Sequence, residues 1–118
     1  MRIIFAICEV PDKVAGAGMW VISRKKLMDA AAKHGDLAGP LDAWYRVAKQ
    51  AIWRNLHDIR QTWAKTDQVG ACTVFNIKGN EYRLIAWINF KSQKVFIRHV
   101  LTHAAYNKEA WKSDCTGH

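Results

Sequence analysis

Hydrophobic and polar positions divide the chain into a helical first half and a β-rich second half. After a short β-prone run at residues 20–22, apolar residues recur every three or four positions in three successive segments, as they do on the buried face of a helix. Ser23 and Asn55 are N-cap residue types, and Pro40 suits the first position of the second helix. The predicted buried stripes are Leu27, Ala30, Ala31 and His34; Leu41, Trp44, Tyr45, Ala48 and Ile52; and Leu56, Ile59 and Trp63.

From Cys72 onward the pattern alternates with a period of two, which is typical of strands. The segments CTVFNI, YRLIAWINF and VFIRHVL are separated by KGNE and KSQK, which suit hairpin turns. Thr102 can cap a last short helix. We therefore predict an α+β fold in the order β-α-α-α-β-β-β-α, with helices packed on one face of an antiparallel sheet.

The charge of the chain narrows the functional classes open to this fold. Of 118 residues, 18 are Lys or Arg and 10 are Asp or Glu, so the formal net charge is +8. The excess is localised, because residues 44–112 hold twelve basic and four acidic residues, a net of 12 − 4 = +8. Such a surface favours a polyanionic partner, either nucleic acid or an acidic protein.

Residues 1–18, MRIIFAICEVPDKVAGAG, differ in character from the rest of the chain. They superficially resemble a signal peptide, but the apolar run is shorter than the ~7 to 15 residues such peptides need, and charged residues follow it. Met19 begins a strand-to-helix pattern. We therefore predict a single domain at 19–118. Residues 1–18 are predicted to be either an N-terminal extension or the result of a start codon assigned upstream of Met19.

The cysteines and the hydropathy indicate a location. Cys8, Cys72 and Cys115 are an odd number, and none belongs to a C-x-x-C pair, so we predict free thiols and neither a disulfide framework nor a zinc site. Free thiols fit a reducing cytoplasm. No apolar run approaches the ~20 residues of a membrane span, so no membrane association is predicted.

The alternation in YRLIAWINF predicts which side chains are buried. One face carries Tyr82, Leu84, Ala86, Ile88 and Phe90, and the other carries Arg83, Ile85, Trp87 and Asn89. A two-residue turn at Ser92–Gln93 would set Trp87 opposite Arg98, so that Arg83, Trp87 and Arg98 line one open face. A three-residue turn would instead bury Arg98, which is costly for an unpaired cation. His99 is predicted on the face opposite Arg98, as a core or edge residue.

Several polar groups could converge at one end of that open face. His103 and Tyr106 are three residues apart and share one side of a helical turn. They are predicted to meet Arg83 and Arg98, with Lys49 or Arg46 approaching from the second helix. Cations and a histidine of this kind can cleave a phosphodiester without a metal or other cofactor, and Trp87 could stack on a base.

A simpler interpretation is that Arg83 and Arg98 are solvated cross-strand residues and that Tyr106 and Trp111 only anchor the last helix. From these patterns alone the chain is a basic α+β nucleic-acid binder, and catalysis stays open.

The segment VFNIKGNEYRLIAWINFKSQKVFIRHVLTHAAYNKEAW, together with VISRKKL and LDAWYRVAKQAIW, resembles the HigB-type toxins of the RelE/ParE superfamily over residues 19–112. The resemblance implies a RelE-like fold, an endoribonuclease that cuts mRNA in the ribosomal A site, and a HigA-type helix-turn-helix antitoxin as partner. It implies that Arg83, from the YRL motif, lines the active face. It also places Thr102, His103 and Tyr106 at the rim, and Lys49 corresponds less closely.

Two other functions remain open at this point. A ParE-like toxin of the same superfamily would inhibit DNA gyrase, using the basic face to contact protein or DNA. A nucleic-acid-binding regulator would need no catalytic group at all. Fresh mRNA ends after induction would distinguish the nuclease from the first alternative, and toxicity on overexpression would distinguish it from the second.

Overall fold

The computed structural model describes residues 18–116. The elements in chain order are β1 (Trp20–Ile22), α1 (Arg24–Lys33), a 3-10 turn (Gly35–Leu37), α2 (Ala38–Gln50), α3 (Leu56–Thr62), β2 (Thr66–Val69), β3 (Cys72–Ile77), β4 (Tyr82–Asn89), β5 (Lys94–Thr102), α4 (His103–Asn107) and a C-terminal 3-10 helix (Ala110–Cys115). Apart from Gly18, the predicted N-terminal extension lies outside the described residues.

Within residues 18–116, five strands form one mixed sheet in the order β1-β5-β4-β3-β2. β1 runs parallel to β5, and the remaining pairs are antiparallel. The predicted α+β class is confirmed, but the predicted element order lacked β2, and the sheet is not antiparallel throughout. Thr66–Val69 was missed because the edge sequence TDQV contains one apolar residue and no alternation.

The helical face of the sheet, to which α1, α2 and α3 contribute, carries the main hydrophobic core. The predicted stripes are largely confirmed, because Leu27, Trp44 and Ile59 are fully buried. Ile52 is the exception: α2 ends at Gln50, and Ile52 is 57% exposed in the following loop. Further members of this core are Leu37, Leu41, Tyr45, Ala48, Trp53, Phe75, Ile77, Leu84, Ala86, Val95 and Ile97.

The helix starts follow the predicted chemistry only in part. The Asn55 side chain accepts a hydrogen bond from the Asp58 amide at 2.9 Å, so the predicted cap of α3 is confirmed. Ser23 makes no side-chain cap hydrogen bond, and its backbone is left-handed with φ 71°. Pro40 is the third residue of α2, which begins at Ala38, because a 3-10 turn leads directly into the helix.

The far face of the sheet, opposite the helices, was predicted to be open, but it is partly covered. The C-terminal 3-10 helix lies against it, and Trp111 and Cys115 pack on Cys72, Val74 and Ile85. A disulfide joins Cys72 to Cys115, so the prediction of free thiols at these two positions was wrong. Their separation of 43 residues left no local motif to indicate the pairing.

The β4–β5 hairpin differs in register from the prediction. Asn89 pairs with Lys94 across a four-residue turn, which sets Trp87 opposite Phe96 and not opposite Arg98. The register then shifts between Ile85 and Ala86, because Arg98 is an extra residue in β5. Such a bulge interrupts the alternation of faces.

No helix in the described part of the chain combines the length and the apolar character needed to cross a bilayer.

Candidate active site

Two hydrogen bonds fix the start of α4, one within the helix and one to the residue that precedes β4. The Thr102 hydroxyl accepts from the Ala105 amide at 3.1 Å and so caps α4. The His103 amide donates to the carbonyl oxygen of Glu81 at 2.9 Å, which fixes the helix beside the β3–β4 hairpin. His103 therefore stands exposed at the first helical position, at one end of the far face.

Arg83, Tyr106 and Trp111 form a layered group, which we call the Tyr106 stack. The guanidinium carbon of Arg83 lies 4.9 Å from the Tyr106 ring centroid. The other contact is with Trp111, whose ring is 4.8 Å away and inclined by only 14°. Trp111 Nε1 also donates to the Tyr106 carbonyl oxygen at 2.8 Å, so this indole fixes the helix that carries Tyr106.

Arg83 has an unusual environment for a charged residue. It is only 8% exposed, and its Nη1 donates to the carbonyl oxygens of Asn80 at 2.8 Å and Tyr82 at 3.3 Å. Within residues 18–116 no carboxylate forms an ion pair with it, and Nε and Nη2 have no acceptor. A buried cation without an anionic partner is costly, so this position favours binding of an anion such as phosphate.

A second group, which we call the Asp114 cluster, consists of Trp87, Arg98, His99 and Asp114. Asp114 Oδ2 lies 2.7 Å from His99 Nε2 and 3.3 Å from Arg98 Nη2. The Arg98 guanidinium carbon is 4.1 Å from the centroid of the Trp87 ring. Trp87 Nε1 donates to the Asp114 carbonyl oxygen at 3.0 Å, so the cluster ties the C-terminal 3-10 helix to β4 and β5.

The bulge explains why neighbouring residues reach one carboxylate. In a regular strand Arg98 and His99 would point to opposite faces, as the sequence analysis predicted. The extra residue lets both side chains reach Asp114 on the far face. The prediction that His99 lies opposite Arg98 was therefore wrong.

The neighbours of Asp114 in this cluster lower the pKa of its carboxyl group. The hydrogen bond from His99 is the main cause that lowers the pKa of the carboxyl group, and Arg98 lowers the pKa further. Desolvation acts in the other direction and is outweighed. Asp114 is consequently an ionised acceptor between an imidazole and a guanidinium at neutral pH.

The predicted site residues on the sheet thus lie in two neighbouring groups. The structure brings Arg83 to Tyr106 and Arg98 to Trp87, and Thr102 and His103 begin the helix that carries Tyr106. Arg83 and Trp87 are four positions apart on β4, or roughly 13 Å at the usual rise per residue. The single ring around one phosphate stays a prediction, while the sequence positions and contacts form two adjoining groups along the far face.

Lys49 and Arg46 are not brought to either group. Both lie on α2, whose buried residues pack on the helical face of the sheet. Arg46 pairs with Asp42 one turn earlier, at 2.7 Å. The second helix does not approach the far-face residues, because it packs on the opposite face of the sheet.

Sequence reasoning missed Asp114, and it treated His99 and Trp111 as structural residues. Asp114 is one of ten acidic residues and lies in no motif, so only the disulfide partner next to it in the chain, Cys115, could have placed it on the sheet. Across residues 18–116, no three His, Cys, Asp or Glu side chains are grouped so that they could hold a metal ion.

Comparison with known proteins gives a family. Residues 37–109 match HigB_toxin, described as the RelE-like toxic component of a toxin-antitoxin system. The chain is 30% identical over 93 residues to the mRNA interferase HigB of Escherichia coli O6:H1, across 76% of this chain and 90% of the relative. It is 32% identical over 92 residues to the mRNA interferase toxin HigB of Escherichia coli K12 and to the mRNA interferase HigB of Shigella flexneri, across 75% of this chain and 88% of each relative.

The matched region contains β2 to β5 and α4, and with them Arg83, Arg98, His99, His103 and Tyr106. The resemblance predicted from the YRL and THAAY motifs is confirmed. The toxic component of such a system has an antitoxin as its partner. This chain belongs to the HigB toxin family, the RelE-like toxic components of toxin-antitoxin systems.

Proposed function

We propose that this toxin is an endoribonuclease that cleaves mRNA, and that cleavage occurs at the end of the far face where His103 stands beside the Tyr106 stack. The observation that carries the proposal is Arg83, a buried guanidinium without a carboxylate partner among the described residues. The exposed His103 begins the helix that carries Tyr106, and its amide is hydrogen-bonded to Glu81, two residues before Arg83. Relatives named mRNA interferase support the same chemistry.

The reaction assigns one task to each group. His103 accepts the proton of a ribose 2′-hydroxyl while the 2′ oxygen forms a bond to its own phosphorus. The bond from phosphorus to the 5′ oxygen breaks, and that oxygen takes a proton from a water molecule. The hydroxide left behind is neutralised by the proton that His103 took up. The products are a 2′,3′-cyclic phosphate and a 5′-hydroxyl, and atoms and charge balance without a metal.

Arg83 stabilises the negative charge that develops on the phosphate oxygens. Among residues 18–116 its Nε and Nη2 have no acceptor, so they can donate to the phosphate, and the guanidinium lies over the Tyr106 ring at 4.9 Å. Tyr106 orients the phosphate through its hydroxyl group, because its ring already contacts Arg83 and Trp111. Thr102 holds both His103 and Tyr106 in place through the cap. Arg98 contacts an adjoining part of the same strand.

We extend the proposal to the setting of the reaction. The mRNA is cut on the translating ribosome, in the cytoplasm, and a HigA-type helix-turn-helix protein is the antitoxin. The basic surface supports binding to ribosomal RNA as well as to mRNA, since the net charge is +8.

The test compares two histidines that share exposure and differ in place. Purified His103→Ala is incubated with mRNA and translating ribosomes, beside His57→Ala as a control on α3, and fresh RNA ends are mapped. We expect the His103 variant to lose about 10²- to 10⁴-fold in cleavage rate. The His57 variant should cleave like the wild type.

Arg83→Ala should lose about 10²- to 10³-fold in rate. Because Arg83 is buried, a urea unfolding curve must show that the variant is folded at the assay temperature. Wild-type cleavage in both Arg83→Ala and His103→Ala would refute this site. DNA damage on induction without new mRNA ends would instead support the gyrase-inhibiting function.

A further inference from the structure

We propose that the far face also carries a binding strip for single-stranded RNA, formed by Trp20, Lys94, Phe96, Trp87 and Arg98, with nucleobases stacking on its rings. This strip lies away from the Tyr106 stack and rests on the proposed function for its ligand, RNA. It extends the site from the chemistry at one end of the sheet to the β1 edge at the other.

The strand register places these residues on one face. Trp20 pairs with Lys94, and Phe96 pairs with Trp87. Val21 and Val95, which lie between these positions, are buried in the core of the helical face. Since successive side chains of a strand alternate, Trp20, Lys94 and Phe96 must project from the far face.

Cations and rings alternate along this surface. Lys94, Phe96 and Arg98 are spaced by two on β5, and the Arg98 guanidinium covers one side of the Trp87 ring at 4.1 Å. Trp20, at the edge strand, is 47% exposed. Proteins that bind single strands use this combination, in which rings stack on bases and cations follow the phosphates.

A groove beside the strip offers polar groups for a base. Its volume is about 530 Å³, and it is lined by Trp87, Phe96, Phe90, Gln68 and Asn89, with Ala71 and Ile88. Volumes of this order hold small molecules, and the Asn89 amide nitrogen can donate to the edge of an unpaired base. The Gln68 amide is already hydrogen-bonded to Gly70 and Thr73. The groove therefore suits one base of a strand in which another base stacks on the exposed Trp20 ring.

The charge of the strip favours RNA over an acidic protein segment. Within residues 18–116, Lys94 has no carboxylate partner, whereas Arg98 shares Asp114 with His99. An alternation of single cations with flat rings, at strand spacing, fits a repeating phosphate and base better than it fits the side chains of a peptide.

The experiment measures binding separately from cleavage. The probe is a fluorescein-labelled single-stranded RNA of mixed sequence with 2′-O-methyl riboses, which lacks the attacking hydroxyl and stays intact. Polarisation titrations compare the wild type, Trp20→Ala, Trp20→Phe and Lys94→Ala. A matched control, Ile52→Ala with Lys33→Ala, removes an exposed apolar residue and a lysine that lie outside the strip.

We expect Trp20→Ala to weaken binding by about 5- to 100-fold and Trp20→Phe to retain most of it, because a ring remains. Lys94→Ala should reduce the slope of log affinity against log salt by about 0.7. The control should bind like the wild type. Equal losses in the control and in the strip variants, or no binding by the wild type, would overturn the strip.

Two further outcomes separate this inference from the proposed function. If the wild type cleaves mRNA while Trp20→Ala and Lys94→Ala bind the probe normally, the strip is refuted and the nuclease stands. If the strip variants bind the probe normally but escape the antitoxin, the surface is a protein interface, and the strip is again refuted. Binding that depends on Trp20, without any cleavage by the wild type, supports the strip and contradicts the nuclease.

Discussion

The two faces of the sheet differ in what holds them together. On the helical face, large apolar side chains from α1, α2 and α3 pack in one continuous core. On the far face, a smaller apolar cluster is joined to stacked cations, an ion-paired carboxylate and a disulfide. The difference indicates that the helical face supplies most of the folding free energy, while the far face displays the groups that can contact RNA.

The largest effect should come from the helical face. Trp44 is fully buried, so Trp44→Ala should lower the free energy of unfolding by about 3–5 kcal/mol through lost burial and a cavity. Trp20→Ala, on the far face, should lower it by less, about 1 kcal/mol, because roughly half of this side chain is exposed. Urea unfolding measures both. A Trp20 variant as unstable as the Trp44 variant would break the division between the faces.

The disulfide should have the next largest effect. Cys72–Cys115 closes a loop with a sequence separation of 43, and such links typically contribute about 2–4 kcal/mol by restricting the unfolded chain. Cys115→Ser should lower the free energy of unfolding by this amount under oxidising conditions. In excess dithiothreitol the variant and the wild type should converge, and a persistent difference would show that the serine itself, and not the lost link, destabilises the protein.

The N-caps of α3 and α4 can be compared directly, because each is expected to contribute about 1 kcal/mol to the free energy of unfolding. Asn55 caps α3 on the helical side and Thr102 caps α4 beside His103. Replacing either by alanine should cost about 0.5–2 kcal/mol of unfolding free energy. Only Thr102→Ala should also slow mRNA cleavage, because it loosens His103 and Tyr106. Equal cleavage by the two variants would show that α4 needs no cap for activity.

The smallest expected effects are changes in the free energy of unfolding with pH. Hydrogen bonding to Lys78 and then to Tyr82 lowers the pKa of Asp36, as His99 and Arg98 lower the pKa of Asp114. Each carboxylate therefore stabilises the fold above its unfolded pKa of about 3.9, and this contribution is lost as the pH falls through the lower folded pKa.

Urea unfolding midpoints recorded from neutral to acidic pH test what the Asp36 and Asp114 carboxylates contribute to stability. Asp36→Asn and Asp114→Asn should each be less stable than the wild type at pH 7, and the difference should shrink in acid. A constant difference at all pH values would mean that the carboxylate charge contributes nothing to stability.

The fold was predictable where burial follows the local pattern. The alternation in β4 correctly assigned Tyr82, Leu84 and Ala86 to the core and Arg83 and Trp87 to the far face, because each side of this strand meets a different environment. β2 was not predictable in this way, since its polar edge sequence contributes little to either core.

The site was less predictable, because long-range geometry decides it. A two-residue turn and an unbroken β5 were expected, but the turn has four residues and Arg98 forms a bulge. The longer turn and the bulge offset each other, so the Arg98 side chain still contacts the Trp87 ring. His99 projects from the far face and not from the predicted one, and it lies within hydrogen-bond distance of Asp114. Nothing local to residues 98–99 encodes the carboxylate of Asp114, which arrives with a segment linked by a disulfide. The catalytic roles remain predictions for the experiments above.

The parallel pairing of β1 with β5 has a consequence for synthesis. Trp20 and Ile22 have Lys94 and Phe96 as strand partners, so the first strand must wait until most of the chain has left the ribosomal exit tunnel. Contacts between distant segments also slow folding. A nascent chain thus has neither the β1 edge of its sheet nor its last helix until synthesis is nearly complete, so the far face is assembled only at the end.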